Sequence, residues 1–136
     1  MKRIAYLFLA GTVTLFVNSF PILSPQTPKP QPLTVPLQCA RGYCMLLQGT
    51  PQTAGMRSGL VRLKAGESIG EHNTGKNEES LVVLRGQGEV RIDGHAAIAI
   101  SAPALVYVPS ASRHNVVNTG SDLLEYVFVV APAQAP

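Results

Sequence analysis

Tryptophan is absent, cysteine occurs twice, and Asp, Glu, Lys and Arg together make up only 14% of the 136 residues. That low charge comes with 46% hydrophobic residues, a composition that buries a core and excludes a disordered tail. Clusters of Lys and Arg are missing as well. Two of the 11 basic residues, Lys2 and Arg3, open the chain, and without them nine basic side chains face eight acidic ones. With no basic patch, the sequence lacks the electrostatic footprint of a nucleic-acid binder. His-rich and Cys-rich tracts are absent, which argues against a metal buffer. No stretch beyond residue 36 keeps a helical period long enough to specify a helix.

The single long apolar run, residues 4–17, follows Met1, Lys2 and Arg3 and is shorter than the ~20 residues a membrane-spanning helix needs. Residues 1–19 are therefore read as a secretory signal with cleavage after Ser19, the alternative being an uncleaved anchor. No cysteine follows the run directly, which argues against a lipoprotein. The expected location is secreted or periplasmic, with no membrane contact once the signal is removed. Residues 20–37 read as a Pro-rich linker, because six of the 11 prolines fall between positions 21 and 36 and favour extended polyproline II. The folded domain is expected over 38–132.

Within that domain the pattern is all-β. Short β-type stretches at 44–48, 60–64, 80–84, 89–92, 95–100, 105–108, 114–118 and 124–130 alternate with turn residues, the pattern of a sandwich or small barrel. Asp93-Gly94 predicts a two-residue type I′ hairpin. Cys39 and Cys44 flank Ala-Arg-Gly-Tyr, so a hairpin turning on Arg41-Gly42 would set them opposite each other, about 4.5 Å apart at Cα. The expectation is a structural disulfide that stabilises the domain by about 2 kcal/mol, with a metal or redox pair as the alternative.

The chemistry-bearing residues lie in two stretches. In the first, His72 and Glu78-Glu79 precede an apolar strand; in the second, His114 opens a later one. Burying an imidazole and a carboxylate together is costly unless each is partnered, and a divalent metal satisfies both. Gly66, His72, Thr74, Glu79 and Gly86 are spaced like the first motif of the cupin superfamily, and Pro103, Pro109, Ala111, His114 and Asn118 like its second. The chain thus resembles a small single-domain cupin over residues 42–131, with Thr74, Pro103 and Ala111 departing from the motif residues.

That resemblance implies a double-stranded β-helix, a jelly-roll barrel, with one divalent transition metal (Fe, Mn, Zn, Ni or Cu) on His72, Glu79 and His114. Glu79 is preferred over Glu78 because six residues separate it from Gly86. Thr74 stands where the motif has a ligand histidine; a hydroxyl is a poor ligand, so Thr74 is expected to line the pocket and hydrogen-bond a water or substrate. Asn118 is expected to hold a turn or strand end. Lys76, Arg113 and His95 are read as solvated surface residues. The implied function is that of an exported mononuclear metal-binding cupin acting on a small organic molecule by oxygenase, isomerase or lyase chemistry. The alternative is a non-enzymatic metabolite- or sugar-binding module whose metal is structural or absent. No catalytic acid or base is assigned, and homodimerisation is carried as an expectation from the family.

Overall fold

The computed structural model describes residues 28–40 and 42–133; the expected signal at 1–19, linker residues 20–27 and Arg41 lie outside them. The described strands are β1 Tyr43–Gln48, β2 Arg57–Leu63, β3 His72–Asn73, β4 Asn77–Arg85, β5 Gln87–Ile92, β6 Ile98–Ser101, β7 Ala104–Val108, β8 Arg113–Val117 and β9 Leu124–Pro132. They form a five-stranded sheet ordered β1-β2-β9-β4-β7 and a four-stranded sheet ordered β3-β8-β5-β6. Every pairing is antiparallel. The two sheets close over one core as an all-β double-stranded β-helix.

Side-chain alternation decides what that core contains. Leu81 and Val83 of β4, Val116 of β8 and Tyr126 and Phe128 of β9 are buried in one cluster, while Val82 and Leu84 point outward. The same parity carries Glu79 and His114 inward, because residues two apart on a strand share a face. On β2 the inward row is Arg57, Gly59, Val61 and Leu63, aligned with Val130, Phe128, Tyr126 and Leu124 of β9. Gly59 leaves space for its neighbour: a Cβ there would run into the Phe128 ring and lie 2.7 Å from the Cys44 carbonyl oxygen.

Gly86 passes the chain from β4 in one sheet to β5 in the other, with φ +81°. A side chain there would meet the Leu123 carbonyl oxygen and lie 2.9 Å from Leu124 Cα, so both backbone conformation and space require glycine. Asn118, almost wholly buried, donates to the carbonyls of Leu63 (2.8 Å) and Asp122 (2.7 Å) and accepts from the Gly120 N–H. It ties the β8–β9 turn to the end of β2.

Two expectations are adjusted. The type I′ hairpin at Asp93-Gly94 does not form. The His95 N–H does reach the Ile92 carbonyl at 3.0 Å, but only Gly94 has a positive φ, and a type I′ turn needs two such residues. The partner strand consequently starts at Ile98 rather than 95. Cys39 and Cys44 are disulfide-bonded with Cα atoms 5.6 Å apart, within the ordinary range. Cys39, however, precedes the first strand, and it is the Arg62 side chain that reaches its carbonyl, at 2.6 Å. Residues 28–37, within the expected linker, contain no strand, and Leu33, Val35 and Leu37 line a surface groove with Leu47, Met56 and Val127.

Candidate metal centre

His72 and His114 meet because β3 pairs with β8 in a register that sets them directly opposite each other. Their ring centroids lie 4.1 Å apart, tilted by 57°. Glu79 enters from the facing sheet, its Oε2 3.3 Å from His114 Nε2 and 3.9 Å from His72 Nε2. The three potential ligand atoms lie within 4.8 Å of one another.

Each imidazole is oriented from behind. His72 Nδ1 lies 2.9 Å from the Gly70 carbonyl, and His114 Nδ1 has a longer 3.4 Å contact to the Ser112 carbonyl. A carbonyl accepts only from an N–H, so in the neutral rings Nδ1 carries the proton and each Nε2 presents a lone pair toward Glu79. His114 Nε2 is fully buried, and in this neutral form its lone pair faces the Glu79 Oε2 at 3.3 Å without a hydrogen-bond partner. An orphaned buried nitrogen next to a buried carboxylate is costly without a further partner. A divalent cation supplies that partner for both, with carbonyls fixing the imidazoles as is usual around bound metals. The donor set fits the metal that the cupin resemblance implies.

Electrostatics favour the same occupant. Burial alone would raise the Glu79 carboxyl, yet without a metal the facing His114 and His72 rings, once protonated at Nε2, outweigh it and bring Glu79 down to about 2. Glu79 is therefore anionic at neutral pH. The adjacent Glu79 carboxylate raises His72 above its ordinary value, partly opposed by burial and aided by the Gly70 carbonyl.

Thr74 is buried and lines the cavity beside these residues. Its hydroxyl, expected to face water or substrate, is otherwise engaged. It donates to the Pro109 carbonyl (2.9 Å) and accepts from the Ser112 N–H (2.9 Å). Backbone bonds from Thr74 N–H to Ser112 O and from Ala111 N–H to Gly75 O complete the seam. The residue that replaces a ligand in the motif thus fastens the turn leading to His114. Ala111 in that turn is the one non-glycine with positive φ, 57°, among the described residues, and it occupies a motif glycine position.

The centre sits at the wall of a cavity of about 490 Å³. His72 and Glu79 line it, and His114 lies buried behind them. Arg57, Tyr43, Tyr126 and Phe128 form other parts of the wall, with the Tyr43 and Phe128 rings stacked at 5.7 Å. Burial raises the hydroxyls of both Tyr126 and Tyr43. Sequence reading singled out none of these four. The usable signal was the inward alternation Arg57, Gly59, Val61, Leu63, which a strand started at residue 60 cuts in half. Arg113 instead pairs with Glu71 and approaches Asp93 at 3.8 Å, and neither it nor Lys76 lines the cavity. Glu78 points away and accepts from the Tyr107 hydroxyl at 3.0 Å. His95 is exposed.

A double-stranded β-helix with two histidines and a carboxylate converging inside it defines a cupin-type barrel. The family model described as Cupin domain matches residues 59–130, more than half of the chain, and the chain belongs to that family. It is 34% identical over 86 residues to the polyketide synthase CurC of Streptomyces cyaneus, covering 61% of this chain and 55% of that one. The chain therefore spans about half the length of this curated relative. Among solved structures, a predicted oxalate decarboxylase from Thermotoga maritima is 25% identical with TM-score 0.61, covering 67% of this chain and 79% of its own. A Bacillus halodurans protein shares the fold with TM-score 0.66 at 24% identity, covering 79% of this chain and 86% of its own.

Proposed function

We propose that the protein is an exported mononuclear metalloprotein that acts on a small organic molecule, with the metal on His72, Glu79 and His114. The observation that carries this reading is the buried, unpartnered His114 Nε2 aimed at an ionised carboxylate and a second imidazole. Two histidines and one carboxylate leave coordination positions open, and a metal so held supplies Lewis-acid or dioxygen chemistry. The protein's own groups do the rest: they fix the imidazoles, keep Glu79 anionic and shape an adjoining cavity of about 490 Å³. Similarity to a protein named polyketide synthase makes polyketide-type molecules a substrate class to try first. Export is supported by the apolar N-terminal run and by a disulfide, which persists in oxidising compartments.

Metal analysis of the purified protein tests the centre. About one equivalent of a transition metal per chain is expected, and His114→Ala should lose it. Under about a tenth of an equivalent in the wild-type protein after metal supplementation would defeat the proposal. A specific observation also favours a binding-module reading: Thr74 offers no ligand, leaving a three-ligand set. Metal retention with no turnover across oxygenase, isomerase and lyase assays selects that alternative.

A further inference from the structure

The cavity carries one cation that nothing in the metal reading uses. Among the described arginines, Arg62, Arg91 and Arg113 each have a carboxylate within ion-pair distance, whereas Arg57 and Arg85 have none, and of these two only Arg57 lines the cavity. Arg57 does so from the inward face of β2. Its position relative to the metal centre follows from the sheet register: Arg57 pairs with Val130, and Val130 pairs with Glu79. The guanidinium-bearing strand and the Glu79-bearing strand are thus two strand spacings apart, about 10 Å between backbones, at the same height in the barrel. Val130 lies between them, and the Phe128 ring sits one inward position along, where Gly59 makes room. Tyr43 stacks on Phe128 near Arg57.

We propose that this cavity binds a small planar carboxylate, its carboxylate held by Arg57, its body against Phe128 and its far end presented to the His72–Glu79–His114 centre. The presentation to a metal rests on the reading above; the contact with Arg57 does not. A planar fork of N–H donors matches a carboxylate in two parallel hydrogen bonds, and a guanidinium without a carboxylate of its own is free to make them. Glu79 is the one carboxylate among the described residues lining the cavity, and a divalent metal more than offsets its charge. Bound metal plus Arg57 therefore makes the interior cationic. The span of about 10 Å between the two strands, shortened by both inward side chains, suits a single-ring molecule.

Benzoate and its neutral isostere benzamide provide the probes, titrated calorimetrically into the full-length protein with and without Co²⁺. Wild type should bind benzoate at least about tenfold more tightly than benzamide, the scale of a hydrogen bond to a charged group. Arg57→Gln should erase that preference and Arg57→Lys should restore part of it, while Co²⁺ affinity, followed by visible absorption, stays the same in all three proteins. Equal binding of the two probes, binding of neither, or an Arg57→Gln protein that keeps the benzoate preference would overturn the proposal. Failure of the metal reading is separable: a wild-type protein that takes up no Co²⁺ but prefers benzoate through Arg57 loses the metal and keeps the carboxylate site.

Discussion

Replacing Thr74 by valine exchanges one hydroxyl for a methyl of nearly the same size, so the barrel keeps its packing and loses two hydrogen bonds. The Pro109 carbonyl and the Ser112 N–H, each 2.9 Å from the hydroxyl, lose their partner. Pro109 is exposed and Ser112 half-exposed, so water restores part of the loss. At about 1 kcal/mol for each bond, the expected destabilisation is about 2 kcal/mol. For a domain of this size that lowers the melting temperature by roughly 8–16 °C. The turn also sets the approach to His114, whose Nδ1 faces the Ser112 carbonyl at 3.4 Å. Loosening such a support weakens metal binding by about 10–100-fold. Scanning calorimetry of the metal-free protein and Co²⁺ titration measure the two effects separately, and Thr74→Ser, which keeps the hydroxyl, should recover most of both. If Thr74→Val melts within about 2 °C of wild type and binds Co²⁺ equally well, the hydroxyl does not fasten the turn and the reasoning is refuted.

Further predictions concern backbone and charge. Ala111→Gly relieves a positive φ of 57° and should stabilise the domain by about 1 kcal/mol, read as a rise in melting temperature; no change would mean that the turn carries no strain. Gly86→Ala combines a φ of +81° with a clash against the Leu123–Leu124 backbone and should cost about 3 kcal/mol or more, visible as lost soluble yield or a much lower denaturation midpoint. In the metal-free protein Glu79, lowered from 4.5 to about 2, contributes stability that is fully present above about pH 4.5 and lost as pH falls toward 2. His72, raised above 6.5, contributes stability that is present below pH 6.5 and lost as pH rises through its higher folded value. A pH series of melting temperatures should therefore be highest between about 4.5 and 6.5, and Glu79→Gln should flatten both flanks.

Spacing made the ligand positions readable, because His72, Glu79 and Gly86 keep fixed separations only if one strand and its entry turn connect them. Gly86 in particular reports a backbone path that no other residue takes. Thr74 was legible as a departure but not as a clamp: its partners, Pro109 and Ser112, lie some 35 residues away and meet it only when the sheets close. Arg57 was missed for a related reason. A charged residue ahead of Ser58 and Gly59 looks like loop, and only pairing with Val130 shows it to be the mouth-end member of an inward row. β3, two residues long, has too little sequence to display any period. The Asp93-Gly94 signal was real as a turn but misjudged in type, since the local dipeptide does not control the register that the flanking strands impose.

The order β1-β2-β9-β4-β7 places the last described strand at the middle of the larger sheet. The β1–β2 pair and the β4–β7 pair are joined within that sheet through β9 alone, which aligns 57–63 on one side and 77–85 on the other. During synthesis neither pair can complete the sheet until residues 124–132 leave the ribosome, and ribbons joined so late in sequence fold slowly. Arg57 and Glu79 reach their common height only once β9 is in place between them. A barrel whose larger sheet is bridged by residues 124–132 delays its own locking until that segment has been made.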